Sequence, residues 1–307
     1  MSKVKVGIVG VGHLGSIHAK VYSKMRNVDL VGVCDCNIER ALEIGKKYHT
    51  RSYANYEDLF DKVDAASIVV PTSLHYKVAK DFLEHGIHVL IEKPITKTLS
   101  EADELIEIAS EKNCIIQVGH VERFNAAVRA LEHYLKKPKF LECQRLGPFH
   151  KRVEDVGVVL DLMIHDIDIV LGLIKQDVIT IEAVGLSTMS AHEDVANVRL
   201  IFEDGTIADI TASRVTKDVV RKIRIFQEDS YISLDYVNQE VTLFKKTGNK
   251  VKKEKVKIKK AQPLDDELQS FIECLRTGKK PIVSGVEGRR ALAVALDILE
   301  KIKTNKQ

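Results

Sequence analysis

Two stretches of the 307-residue chain carry side chains that could move a proton. In Glu92-Lys93-Pro94 the lysine follows an apolar run, Ile87 to Ile91. Pro94 fixes the chain as it leaves that run and keeps residue 93 extended. An ammonium held there can hydrogen-bond a hydroxyl and stabilise a developing alkoxide; the alternative is a solvated surface lysine. The second stretch is Asp161-Leu-Met-Ile-His165. Residues four apart share a helix face, and these two interrupt an apolar pattern from Val158 to Ile174, with Asp168 following on the same face. A carboxylate beside an imidazole orients it and raises its pKa, so His165 is a candidate general base. Two other readings are a satisfied core His–Asp pair and a metal site through Asp161, His165 and Asp168. We expect no metal.

The elements that position Lys93 begin at the N-terminus. Lys3 to Gly10 reads as a buried strand, Ile17 to Met25 as a helix and Val28 to Cys34 as a second strand. Between the first two lies Gly10-Val-Gly12-His13-Leu14-Gly15, and Asp35 follows twenty residues after Gly15. Strand, G-x-G-x-x-G, helix, strand and acid make the dinucleotide-binding fingerprint. Gly10 allows the tight turn, Gly12 lets a pyrophosphate approach the backbone, and Gly15 lets the helix pack on the sheet. The helix N-terminus offers N–H groups and a positive dipole end to the phosphates. Asp35 can accept hydrogen bonds from the ribose hydroxyls and repels a 2′-phosphate. Cys36 and Asn37 supply no arginine to receive one, so the expected cofactor is NAD.

Strand and helix patterns alternate to about residue 120: helices at 38–48, 56–60, 75–85 and 101–112 (capped by Ser100), and strands at 65–70, 87–91 and 114–118. This predicts an α/β fold with a doubly wound parallel sheet, which binds ligands beyond the carboxyl ends of its strands. The residues expected there are Gly10 to Leu14, Asp35, Pro71 to Ser73, Glu92 to Pro94 and Gly119 to Arg123. The second half differs. A strand at 140–146 and the helix at 158–174 precede strand patterns at 178–189, 196–202, 206–214, 222–227, 231–236 and 241–244, then helices at 264–277 and 286–303. This predicts an α+β domain with an open, mostly antiparallel sheet, whose exposed face suits an oligomer interface.

Two polar segments are candidate substrate ligands. Gly119-His-Val-Glu122-Arg123-Phe-Asn125 follows the last parallel strand, and a capped interdomain linker is the alternative. Arg145 to Arg152 is basic, and guanidinium forks suit phosphate or carboxylate. Lys245 to Lys260 holds nine lysines. It reads as a lysine-guarded edge strand or hairpin, with strand alternation at 255–259, rather than a nucleic-acid surface, for a net charge of +3 and the absence of aromatics and arginine from the run argue against one. No apolar run reaches about 18 residues, and no signal peptide is expected before the first strand. Five cysteines without a framework spacing suit a reducing cytoplasm, and Cys34-x-Cys36 lacks the second ligand pair of a metal site.

Taken together, the glycine turn, Val70-Pro-Thr-Ser-Leu-His75, Glu92-Lys93-Pro94 and Asp161-Leu-Met-Ile-His165 resemble the Gfo/Idh/MocA family of sugar oxidoreductases, over essentially the whole chain. The resemblance implies a Rossmann domain over residues 1–122. It also implies a substrate-binding and oligomerisation domain over 123–307, whose C-terminal helix could pack back on the first. It makes Lys93 and His165 the catalytic pair, with Asp161 as substrate ligand or orienter. Gly10, Gly12, His13, Leu14, Gly15, Asp35, Pro71, Thr72, His75, Glu92 and Lys93 would lie along NAD. The string Gly119 to Asn125, with Arg145-Leu-Gly-Pro-Phe149 and Leu160 to Asp168, is similar to short members that act on UDP-activated amino sugars. A UDP-N-acetylhexosamine such as UDP-N-acetylglucosamine is then the expected substrate. Its ligands would include Lys93, Glu122, Arg123, Asp161 and His165, with Arg145 or Arg152 on the diphosphate. A free sugar or polyol, or a non-catalytic NAD-bound sensor, are the alternatives. The implied assembly is a homodimer or homotetramer, with neither nucleic acid nor membrane as partner.

Overall fold

The computed structural model describes residues 2–149, 156–248 and 250–305. The chain divides into two compact units, residues 1–121 with 262–289, and 122–261 with 290–307. Besides the expected crossing near residue 122, the chain returns to the first unit at 262 and leaves it again after 289, in line with the C-terminal return that the resemblance allowed.

The first unit is built on β1 (Val4–Val9), α1 (His13–Tyr22), β2 (Val28–Cys34), α2 (Ile38–Tyr48), β3 (Arg51–Tyr53), β4 (Ala65–Ile68), α3 (Thr72–Glu84), β5 (His88–Glu92), α4 (Leu99–Glu111) and β6 (Ile116–Gly119). All its strands run parallel, in the order β3-β2-β1-β4-β5-β6. This is the doubly wound order, reversing direction between β1 and β4. The strands are buried on both faces, which is why they read as apolar runs rather than alternating ones.

Several local starts differ from the periodicity. Helices α1 and α3 begin at His13 and Thr72 rather than at residues 17 and 75, because their polar first turns open straight off the strand ends. Thr98, not Ser100, caps α4: its hydroxyl accepts from Glu101 N–H while the Glu101 carboxylate accepts from Thr98 N–H. Strand β3 is only three residues long and carries no periodic signal.

The second unit holds α5 (Ala126–Leu131), β7 (Pro138–Leu146), α6 (Ile164–Ile174), β8 (Val178–Leu186), β9 (Val195–Phe202), β10 (Ile207–Ser213), β11 (Val220–Gln227), β12 (Ser230–Asp235), β13 (Glu240–Thr247) and β14 (Lys250–Lys255). Its eight strands order β14-β13-β12-β11-β7-β10-β9-β8. Every pairing is antiparallel except β7 with β10. Leu141, Cys143, Ile210, Ile223 and Ile232 on one sheet face bury against Ile164, Ile167 and Val170 of α6. On the outer face Phe140, Phe226, Tyr231 and Phe244 stack across four strands, with centroids 5.5, 5.0 and 5.1 Å apart. Within the lysine-rich 245–260 stretch the expected edge strand is β14, which ends where the alternation at 255–259 begins. It pairs with β13 and exposes both faces, so no apolar alternation marks it.

Helices α7 (Pro263–Thr277) and α8 (Gly285–Thr304) complete the chain. Leu268, Phe271 and Ile272 of α7 are fully buried in the first unit's core with Val6, Ile8, Ala19 and Tyr22. Val283 accepts a hydrogen bond from Val118 N–H at 3.0 Å, extending the sheet beyond β6. Helix α8 starts in the first unit, and its later residues Ala291, Ala295 and Ile298 bury in the core of the second. No helix of the described residues is long and apolar enough to cross a membrane.

Phe271→Ala should destabilise the first unit by about 3–5 kcal/mol, the loss expected for truncating a buried phenylalanine. The midpoint of the first urea transition reads this; an unmoved midpoint would mean that α7 is not part of that core.

Candidate active site

The glycine turn is built by close approach. Gly10 has φ +87°, and its N–H donates to Cys34 O at 2.8 Å. A Cβ on Gly10 would strike the Val69 carbonyl, and one on Gly15 would strike the Gly10 carbonyl. Gly12 is different, for nothing in the protein lies within 4 Å of where its Cβ would be. That open edge leaves room for a pyrophosphate to approach the backbone. Helix α1 starts at that point without a side-chain cap or an acid in its first turn, so its N–H groups remain available for an anion. Leu14, in that first turn, is exposed.

Asp35 closes the turn from β2. Its carboxylate is buried and accepts from Val11 N–H at 3.0 Å and Asn37 N–H at 2.9 Å. An arginine does reach this place: Arg40 Nη1 lies 3.5 Å from Asp35 Oδ2. It comes from the first turn of α2 rather than from residues 36–37, so reading the next two residues missed it. A cavity of about 650 Å3 opens beside Asp35, lined by Gly10, Gly12, Arg40, Tyr56, Pro71 and Leu74, among others. Its size and largely apolar walls fit an adenosine. The residues present thus fit NAD, with an open glycine edge, an uncapped helix end and a carboxylate beside an adenosine-sized cavity.

Further along the same sheet edge, Pro71 precedes the first residue of α3, Thr72. His75 is almost fully buried, with its ring nitrogens 2.8 Å from Pro94 O and 2.9 Å from Val70 O. Its ring is engaged by the backbone, so it ties the loop after β4 to the loop after β5, rather than reaching a cofactor as expected. Burial lowers its pKa, and the neutral ring can donate to only one of those carbonyls. Glu92 is buried beside Lys93 and accepts its N–H at 3.3 Å. The Lys93–Pro94 peptide is cis. Gly119 makes room for Glu92, since a Cβ there would come within 2.9 Å of its carboxyl. His18 of α1, fully buried, places Nε2 3.3 Å from Glu92 Oε1. The sequence reading missed His18, yet a histidine among Gly15, Ala19 and Tyr22 on one apolar helix face was a visible signal.

In the second unit the 158–174 helix is not α-helical throughout. Residues Val159–Met163 form a π-helix, and the α-helix begins at Ile164. The i,i+4 spacing used for Asp161 and His165 therefore starts inside a wider turn. Such π segments are frequent at functional sites. The helix start is held by Glu193, whose main-chain O accepts from Val158 N–H at 2.8 Å and whose carboxylate accepts from Val159 N–H at 3.1 Å. Asp161 and His165 are partly accessible, whereas Asp166 and Asp168 are buried. Among the described residues no group of three or more His, Cys, Asp or Glu side chains could hold a metal ion.

Three expected substrate ligands are turned into the protein. Arg145 is buried; Nε and Nη2 donate to Asp166 at 2.7 and 3.1 Å, and Nη1 donates to Glu122 at 3.0 Å. Its guanidinium sits 5.2 Å from the Tyr236 ring centroid. Burial alone would lower its pKa, but Asp166 and Glu122 outweigh that and raise it. The buried fork is held by these two carboxylates and is not presented to a diphosphate as expected. Glu122 holds Asn125 Nδ2 with its other oxygen, at 3.1 Å. Arg123 donates to Asp168 O at 3.0 Å and packs where only a glycine, Gly172, leaves room. Arg152 lies outside the described residues. Asp166 was not singled out, because a buried acid within an apolar helix looks like an interruption until its arginine is known.

The chain matches two family models: one described as an oxidoreductase family with an NAD-binding Rossmann fold, over residues 4–120, and the GFO/IDH/MocA C-terminal domain, over residues 119–233. It is 36% identical over 305 residues to the UDP-N-acetylglucosamine 3-dehydrogenase of Acidithiobacillus ferrooxidans, covering 97% of each chain. The solved structure of that enzyme superposes with a TM-score of 0.95 over 100% of both chains. The NAD-dependent scyllo-inositol 2-dehydrogenase of Bacillus subtilis is 29% identical over 318 residues, covering 96% of this chain and 92% of its own.

Arg145→Met leaves Asp166 as an uncompensated buried charge and takes the partner from the half-buried Glu122. It should cost about 3–5 kcal/mol of stability, as breaking a buried ion pair does. Urea unfolding measures this, and a change of less than about 1 kcal/mol, the scale of a surface pair, would contradict the engaged-arginine reading.

Proposed function

The chain belongs to the GFO/IDH/MocA oxidoreductase family and binds NAD through its Rossmann unit, and on that premise we propose that it oxidises a sugar hydroxyl to a ketone, at C3 of a UDP-N-acetylhexosamine such as UDP-N-acetylglucosamine. The full-length likeness to the Acidithiobacillus enzyme carries this reading. Bound NAD supplies the hydride acceptor. Gly12 and the start of α1 receive the pyrophosphate, and Asp35 receives the ribose hydroxyls. The Lys93 ammonium hydrogen-bonds the sugar hydroxyl and stabilises the alkoxide as it forms. Glu92 steadies the lysine from behind through its backbone N–H. His165 takes the hydroxyl proton, with Asp161 orienting ring or sugar. Five free cysteines support a reducing, cytoplasmic setting, and the aromatic outer sheet face supports a homo-oligomer.

A second reading, oxidation of a free polyol or sugar, is favoured by one observation: Arg145, expected on a diphosphate, is engaged by Asp166 and Glu122. Absorbance at the NADH wavelength, with NAD and a panel of UDP-sugars and free sugars, separates the two. NADH formed only with UDP-N-acetylglucosamine is the expected result, and NADH formed with free polyols instead would overturn the nucleotide-sugar reading.

Lys93→Ala should lower turnover by about 100-fold or more, within the range of general acid–base contributions, while NAD binding persists. Near-normal turnover would remove Lys93 from the chemistry.

A further inference from the structure

We propose that Arg221 is the guanidinium that binds a phosphoryl group of the substrate, a role that rests on the nucleotide-sugar reading above. Arg221 lies directly opposite Arg145 in the β11–β7 register. Strand residues two apart share a sheet face. Ile223 and Ile225 on one strand and Leu141 and Cys143 on the other are fully buried, so both arginines stand on the core-side face, at one end. That end adjoins the helix carrying Asp161 and His165, for Asp166, the residue after His165, binds Arg145 there.

The two arginines then diverge. Arg145 has two carboxylates and a tyrosine ring. The Arg221 guanidinium, half-buried, makes no hydrogen bond or ion pair among the described residues, although its own main-chain O accepts from Tyr236 N–H at 3.0 Å. A partly desolvated, unpaired cation is costly unless something pairs it. Burial first, and then the charge of Arg145, lower its pKa, while Glu122, Asp166 and Asp161 oppose that. An arriving anion would relieve this unfavourable setting, and a planar fork matches phosphoryl oxygens in particular. The Tyr236 hydroxyl is a second buried polar group in this neighbourhood without a hydrogen-bond partner among the described residues.

A phosphoryl anion can belong to a nucleoside diphosphate or to a sugar monophosphate, and calorimetry on the NAD-loaded protein distinguishes them. UDP and N-acetylglucosamine 1-phosphate are titrated into the wild type, Arg221→Gln, Arg221→Lys and Lys222→Gln. Lys222 is the adjacent residue on the opposite sheet face, across from Gln144, and serves as the control. We expect UDP to bind the wild type and Lys222→Gln alike, and Arg221→Gln about 10- to 100-fold more weakly, as loss of a charge-assisted hydrogen bond implies. Arg221→Lys should fall between. KM for the nucleotide sugar should rise by a similar factor at nearly constant kcat, which a merely structural arginine would not produce. Equal UDP affinity in wild type and Arg221→Gln overturns the inference while leaving the proposed substrate intact. Binding of the sugar monophosphate but not UDP, lost in Arg221→Gln, keeps the phosphoryl role and overturns the nucleotide. Wild type that binds neither compound overturns the inference, and wild-type turnover of UDP-N-acetylglucosamine judges the reading separately. If Arg221→Gln melts below the assay temperature, the Arg221→Lys affinity decides: unchanged binding overturns the inference.

Discussion

The second unit is organised around a guanidinium that has no route to water. Arg145 joins β7 to α6 through Asp166, to the turn before α5 through Glu122, and to the end of β12 through the face of Tyr236. Removing any partner leaves charge in a medium that solvates it poorly. The sheet end, the helix that bears His165 and the residues entering the unit are therefore fixed together. Charge placed this deep contributes little net stability against an apolar substitute. What it contributes is a single arrangement of the parts.

The same geometry divides neighbouring arginines by task. Arg123 and Arg145 are held by protein acceptors, whereas Arg221, in register with Arg145, is not. Basic residues near a candidate site are equivalent in sequence, and they separate only when their partners are known. The first unit makes the corresponding division among histidines: His75 lies between two main-chain carbonyls, while His18 stands beside Glu92.

Much of the fold was legible because its signals are local. The turn from Gly10 to Gly15, Asp35 at the end of β2 and the alternation of apolar runs are set by backbone sterics and burial on both sheet faces. The long apolar helix was legible as an element, but the change at Ile164 from π to α leaves no mark in the period of apolar residues. Partners distant in sequence were illegible. Asp166 reaches Arg145 across 21 residues, and although a C-terminal return to the first domain was expected, nothing in α7 marks Val6, Ile8 and Tyr22 as the residues it meets. Arg40 was hidden for a smaller reason: a residue in the first turn of α2 returns over the strand end, which a count along the chain does not reveal.

The late return of α7 bears on synthesis. Ribosomes deliver the N-terminus first, so residues 1–121 emerge well before Leu268, Phe271 and Ile272 exist to cover Val6, Ile8 and Tyr22. The nascent Rossmann sheet must wait through the translation of some 140 further residues, roughly 7–28 s at about 5–20 residues per second. During that interval one flank of its apolar interior is open.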